Sequence, residues 1–234
     1  MKICYQKPET AMTLAQIHTI PVGFTNCYLI KQKGVILIDT GVPNKINTIK
    51  KYFQKTGIDI SDISLILHTH GHWDHIGNTQ MLVRETGVKT ALHQTEKRCL
   101  EEGTILIPPG VTRWGRFLGH FSQMTSGRVK IKTTKVDISI NDSGFNLSEY
   151  GIDGKVVYTP GHSSGSVSVI LDSDEAFVGD MAMNGFPFRK GPGLPIFAED
   201  LLLLKKSWKR LVEMGVKTVF PSHGKPFSIE KMTV

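Results

Sequence analysis

Long apolar runs are missing from this chain. The longest, such as residues 35–38 and 201–204, are four residues long, against the roughly 20 that a membrane helix needs. A signal peptide is not expected, because the first thirty residues carry charges and prolines where an apolar centre belongs. Cysteine is scarce: Cys4, Cys27 and Cys99 are odd in number and far apart, with no CxxC. That excludes a disulfide framework and fits a reducing, cytoplasmic setting. Apolar residues at 40% and charged residues at 21% also exclude collagen-like, coiled-coil and disordered classes.

The 234 residues suffice for one well-buried core at roughly 150 residues per domain, and the chain reads as a single domain over 1–234. The net charge is +7, from 28 Lys plus Arg against 21 Asp plus Glu. These cations are spread thinly, in pairs such as Lys50-Lys51 and Lys205-Lys206. A small-molecule substrate is therefore expected rather than nucleic acid.

Short β-rich runs alternate with helix-length segments, which predicts an α/β fold. Strands are expected at 14–20, 27–30, 35–38, 65–67, 88–92, 155–158, 166–171, 176–178 and 217–220; helices at 43–56, 78–86, 94–102 and 199–214. Three stretches share one grammar, a helix end, a glycine, then a strand: Lys55-Thr-Gly57, Glu85-Thr-Gly87 and Glu213-Met-Gly215. Residues 103–135 break the rhythm. Trp114, Phe117, Leu118, Phe121 and Met124 recur there at helical spacing, so the segment reads as an inserted lid, pocket wall or dimer contact. Residues 184–197, rich in Gly, Pro and Phe, would form the opposite wall.

The strongest signal is His68-Thr-His70-Gly-His72-Trp-Asp74-His75, which holds four of the nine histidines within eight residues. Two histidines two apart in extended chain project to the same side, and a following turn can aim Asp74 and His75 at a neighbouring point. One string can thus give two imidazoles to one metal and a carboxylate plus imidazole to a second. Gly161-His162, Gly179-Asp180 and Ser222-His223 each follow a predicted strand. Open α/β sheets place their sites at such strand ends.

These motifs, with Leu37-Ile-Asp39-Thr-Gly41, resemble those of metallo-β-lactamase-fold hydrolases, in the branch that includes glyoxalase II and quorum-quenching lactonases. The resemblance implies a four-layer αβ/βα sandwich with two Zn²⁺ (Fe or Mn being alternatives) in a cleft at the sheet edges. His70, His72 and His162 would bind the first metal. Asp74, His75 and His223 would bind the second, with Asp180 bridging and Asp39 ordering the ligand loops from behind. His68 precedes the motif and, like His18, His93 and His120, is left as a structural or surface residue.

The subfamilies are narrowed by exclusion. Asp180 and His75 differ from the best-known β-lactamases, which carry cysteine at the first position and no histidine at the second. Only eleven residues follow His223, so glyoxalase II's appended helical domain is not expected. Met181-Ala-Met183-Asn184 stands where those lactonases place a tyrosine. The flavodiiron glutamate and flavin domain and the tRNA-binding arm of RNase Z also lack counterparts.

The implied activity is hydrolysis of a carboxylic ester, thioester or lactone by a metal-bridging hydroxide, with Asp74 as proton carrier. Trp114, Phe117, Phe121, Phe186, Phe188 and Phe197 would enclose an acyl or aromatic group. Arg113, Arg116, Arg189 or Lys190 would hold a carboxylate or phosphate. The alternatives are a phosphodiesterase or ribonuclease using the same metal pair, or a mononuclear iron dioxygenase. A metal-stabilised binding module is the non-enzymatic rival.

Overall fold

A computed structural model describes residues 14–127 and 129–232, without the side chains of 121–126. Cys4 and the side chains of Phe121 and Met124 therefore lie outside the described part. Two six-stranded sheets stack on one another. The first runs in order β1 to β6: β1 (Gln16–Val22), β2 (Thr25–Lys31), β3 (Val35–Ile38), β4 (Ile63–Leu67), β5 (Lys89–His93) and β6 (Ile138–Ile140). Its first three strands are antiparallel, and β3 to β6 are parallel.

The second sheet runs from β7 at one edge to β12 at the other: β7 (Phe145–Asn146), β8 (Gly154–Tyr158), β9 (Val167–Leu171), β10 (Glu175–Asn184), β11 (Thr218–Gly224) and β12 (Phe227–Ser228). Only β10 and β11 are parallel neighbours in it. The helices are α1 (Ile46–Thr56), α2 (Trp73–Ile76), α3 (Thr79–Thr86), α4 (Lys97–Glu101), α5 (Arg113–Ser126) and α6 (Leu201–Glu213).

Alternation along the strands explains the layering. Tyr28, Ile30, Ile36, Ile38, Leu65 and Leu67 face the second sheet, where they pack with Val156, Val167, Val169, Leu171 and Phe177. Their neighbours Cys27, Leu29, Val35, Leu37 and Ile66 face the other way, against Ile46, Ile49 and Phe53 of α1 and Leu82 of α3. On the far side of the second sheet, Val157, Ile170, Ala176 and Val178 meet Leu204, Trp208 and Leu211 of α6. Each sheet is thus apolar on both faces, as strands covered by helices on one side and a second sheet on the other require. The result is the expected four-layer sandwich.

Two expected strands run on past their predicted ends into the site. β10 continues past Val178 through Gly179 and Asp180 to Asn184, with register shifts against β11 on either side of Gly179. β11 carries Pro221, Ser222 and His223 within the strand. Asp180 and His223 therefore sit on bulged, rigid strand rather than on loops beyond it. The predicted helix at 94–102 is a 3₁₀ turn (Gln94–Glu96) followed by the five-residue α4. Strands β6, β7 and β12, of three, two and two residues, are too short for any periodic pattern.

The three repeated helix-end glycines behave as their grammar predicts. Gly57, Gly87 and Gly215 have φ of +69°, +71° and +82°, and a Cβ at any of them would meet nothing within 4 Å. Their requirement is purely conformational, because the left-handed region disfavours L side chains. Gly215→Ala is expected to lower unfolding free energy by about 1 kcal/mol, read by urea denaturation. An unchanged or raised midpoint would show that the end of α6 relaxes without strain.

Candidate metal centre

The site lies where the sheets meet, beyond the carboxyl ends of β3, β4 and β8 and beside the bulge of β10. Two side-chain bonds stitch the sheets together at this edge: Tyr28 Oη donates to Pro221 O at 2.6 Å, and Asn26 Nδ2 to Gly224 O at 2.7 Å. The loop after β4 carries His70 and His72 and runs into α2, which presents Asp74 and His75. His162 comes from the turn after β8, Asp180 from β10 and His223 from β11. All seven are buried. They form three overlapping groups, His70–His72–His162, His70–His75–Asp180 and Asp74–His75–His223, with candidate ligand atoms within 4.8 Å of one another in each group.

Behind them stands Asp39, as the sequence expects. It accepts from the Thr69 amide at 2.8 Å, the Thr69 hydroxyl at 2.7 Å and His75 Nδ1 at 2.8 Å. Ser222 Oγ approaches at 3.5 Å. The Asp39 φ of +59° is uncommon for a residue other than glycine. Because the Thr69 hydroxyl proton is committed to Asp39, His70 Nδ1 donates to Thr69 Oγ1 at 3.1 Å. His162 Nδ1 donates to Phe197 O at 2.9 Å and His223 Nδ1 to Phe24 O at 3.0 Å. Four imidazoles thus have one nitrogen fixed by a partner, which leaves Nε2 to face the cluster. His72 is reversed: its Nδ1 faces His162 Nε2 at 3.1 Å.

Buried polar atoms need partners, and here several have none. His70 Nε2, His75 Nε2 and Asp180 Oδ1 are buried without a hydrogen-bond partner. Imidazole nitrogens and carboxylate oxygens converging in this way suit divalent metal ions, and the donor set fits them.

Charge divides the cluster in two. Burial, with the neighbouring imidazoles, holds His70 and His72 neutral, His72 at a pKa of about 3; His162 is lowered too, chiefly by burial. Burial also opposes charge on His75 and His223, but Asp180 and Asp74 outweigh it, and His223 rises to about 10. His75 is further raised by Asp39. Asp74 Oδ2 lies 3.7 Å from His75 Nε2 and 3.5 Å from His223 Nε2.

Above the cluster is a cavity of about 390 Å³, lined by Phe24, Trp73, Leu106, Ile107, Pro108, Leu118, Met183, Pro187, Phe188 and Phe197, with His72, Asp74, His162, Asp180 and His223 at its base. Residues 103–135 contribute part of this wall, through Leu106, Ile107, Pro108 and Leu118. Of the residues expected to contact substrate, Phe188 and Phe197 line the cavity. Trp114, Phe117 and Phe186 do not: they are 45%, 64% and 94% exposed on the outer surface. Amphipathic spacing could not show that α5 turns Leu118 inward and Trp114 and Phe117 out. Trp114 instead donates to Pro187 O at 2.9 Å, which fastens one wall to the other. Arg189 folds back to donate to Leu194 O at 3.3 Å, and Arg113, Arg116 and Lys190 are also absent from the lining.

His68 is buried beside Thr79 Oγ1, 3.1 Å from its Nε2, away from the converging donors. His93 stacks on Tyr158 with centroids 4.7 Å apart. Three contributors escaped the sequence reading. Phe24 lines the cavity and orients His223, and Thr25 Oγ1 donates to Asp74 Oδ2 at 3.0 Å. Glu96, fully buried, accepts from the amides of Gly71, between the first two ligands, and Gly165, just after His162. A lone glutamate in a polar stretch carries no periodic signal. Its only sequence clue is its place just after the β5 strand end.

The chain belongs to the metallo-beta-lactamase superfamily: the family model matches residues 20–223. It is 28% identical over 207 residues to a probable metallo-hydrolase of Methanocaldococcus jannaschii, covering 86% of this chain and 87% of that protein. A metallo-beta-lactamase fold-containing protein of Sulfurisphaera tokodaii is 28% identical over 221 residues, covering 89% and 78%. Among solved structures, TTHA1623 in a di-iron-bound form has a TM-score of 0.64 at 25% identity, covering 92% of this chain and 95% of that one. BJP-1, a subclass B3 metallo-beta-lactamase of Bradyrhizobium japonicum, shares the fold with a TM-score of 0.64 at 24% identity, covering 90% and 76%.

Burial acts to raise the Asp39 pKa, but His75 and His68 outweigh it and hold the group at about 2. A carboxylate depressed in the folded state contributes stability above its unfolded pKa of about 3.9 and loses it as pH falls through the folded value. Metal-free protein should therefore be about 2 kcal/mol more stable than Asp39→Asn at pH 6, with the gap closing between roughly pH 4 and 2. Chemical denaturation of both proteins across that range checks this, and a pH-independent gap would refute it.

Proposed function

We propose that the protein is a dinuclear zinc hydrolase that cleaves a carboxylic ester, thioester or lactone. The observation that carries this reading is the completeness of the second donor group. Asp74, His75 and His223 converge beside Asp180 as closely as the three histidines of the first group do, which favours two ions over one iron. Metal ions held here supply Lewis acidity, which acidifies water and polarises a carbonyl oxygen.

His70, His72 and His162 would hold one ion; Asp74, His75 and His223 the other; Asp180 touches both sets, 3.4 Å from His75 Nε2 and 3.7 Å from His162 Nε2. Asp74 lines the cavity floor, where its carboxylate is placed to take the proton of an attacking water and return it to the leaving group. No nucleophilic Ser or Cys lines the cavity among the described residues, so no covalent acyl-enzyme is required. The apolar walls exclude bulk water from the reacting carbonyl. Among the described residues no helix is long and apolar enough to cross a membrane. Cys27 and Cys99 are buried free thiols, which fits a cytoplasmic setting, and a cavity of about 390 Å³ suits a small-molecule substrate.

Elemental mass spectrometry on protein purified without added metal or chelator should find close to two zinc per chain, and such protein should cleave acyl esters. About one iron per chain, without esterase activity, would overturn the reading in favour of the dioxygenase. Because His75 and His223 hold protons in the metal-free cluster, reloading chelated protein near pH 7 should release on the order of two protons. Calorimetry in buffers of different ionisation enthalpy measures that release; uptake without any would show that these residues are not ligands. Glu96→Gln leaves one acceptor for two amides, so affinity at the three-histidine site should fall about 10- to 100-fold. Competition with a chromogenic chelator reads this, and unchanged affinity would make Glu96 a packing residue only.

A further inference from the structure

We propose that the acyl half of the substrate is an uncharged hydrocarbon chain or ring that lies in the cavity above the metal centre. This rests on the hydrolase reading and extends it to a substrate class. The walls, Leu106, Ile107, Leu118, Met183, Phe188 and Phe197 among them, are apolar side chains. Apart from the indole N–H of Trp73, the polar groups of the described lining side chains all belong to the candidate ligand set, and none is Lys or Arg. A carboxylate or phosphate drawn into this space would lose its hydration and gain no cationic side-chain partner, which is strongly unfavourable. The cations that the sequence offers for such a group stay out, with Arg189 turned back onto Leu194 O.

The cavity is also built rather than accidental. Its two walls are bonded to each other through Val111 N to Ile196 O at 2.9 Å, Ala198 N to Pro109 O at 3.1 Å and Trp114 Nε1 to Pro187 O at 2.9 Å. A pre-formed apolar pocket recognises by area removed from water, so selectivity should follow chain length until the space is filled.

The test uses metal-loaded protein and p-nitrophenyl esters from acetyl to octanoyl. The inference expects kcat/KM to rise about fourfold per methylene and then level off. An ester of matched length ending in a carboxylate should be about a hundredfold poorer or worse. Leu118→Arg should flatten the length dependence and improve the carboxylate-ended ester at least tenfold relative to its methyl-ended partner. Calorimetry on chelated protein gives a readout free of turnover, with octanamide binding more tightly than acetamide. A flat length series, or a preference for the carboxylate-ended ester, would overturn this inference and leave the hydrolase reading standing. Preferential octanamide binding without cleavage of any ester by loaded protein would uphold the apolar site and sink the hydrolase reading. Equal binding of the two amides would overturn the inference whatever the kinetics show.

Discussion

The loop that bears the first donors of this site leans on one buried carboxylate. Asp39 leaves β3 with a left-handed backbone that turns its carboxylate toward its partners. Those partners are the Thr69 amide and hydroxyl and the His75 imidazole. Through Thr69 the carboxylate fixes the ring of His70, and through His75 it orients a residue of the opposite donor group. Ser222 adds a weak contact from the second sheet. One anion thereby sets the angles of rings that would otherwise be free to rotate. Glu96 does the corresponding work on the backbone, tying the loop between His70 and His72 to the turn that bears His162.

The charge pattern follows from the same economy of burial. Three imidazoles with few nearby carboxylates stay neutral, while His75 and His223, set against Asp180 and Asp74, hold protons until something else neutralises those acids. A buried charge without a counter-charge is costly, so the acidic half must carry either protons or metal. Above it the cavity is apolar, which strengthens every electrostatic interaction at its floor.

Most of the fold and the identity of the converging residues were legible in the sequence, for separate reasons. Apolar runs such as 35–38 mark strands covered on both faces. The three glycines Gly57, Gly87 and Gly215 mark helix ends through a backbone requirement that only glycine meets cheaply. The His-x-His-x-Asp-His string is legible because metal chemistry restricts residue type and spacing together. What stayed hidden was orientation. α5 was visible as an amphipathic segment, yet nothing in its spacing showed that Leu118 turns toward the cavity while Trp114 and Phe117 face outward. The extension of β10 through Gly179 depends on pairing with β11, a partner remote in sequence. Thr25 acts through one long-range bond and Glu96 through two, and such bonds leave no local pattern.

The division of the donors along the chain has a consequence for biosynthesis. His70, His72, Asp74 and His75 are made well before His162, Asp180 and His223, and the two groups meet only when the second sheet closes on the first. A nascent chain therefore displays a compact knot of imidazoles while its closing ligands are still unmade. A metal ion captured at that stage would be held by an incomplete set of donors. The complete donor set exists only once the two sheets have closed on one another, so the fold itself is the last ligand-bearing step.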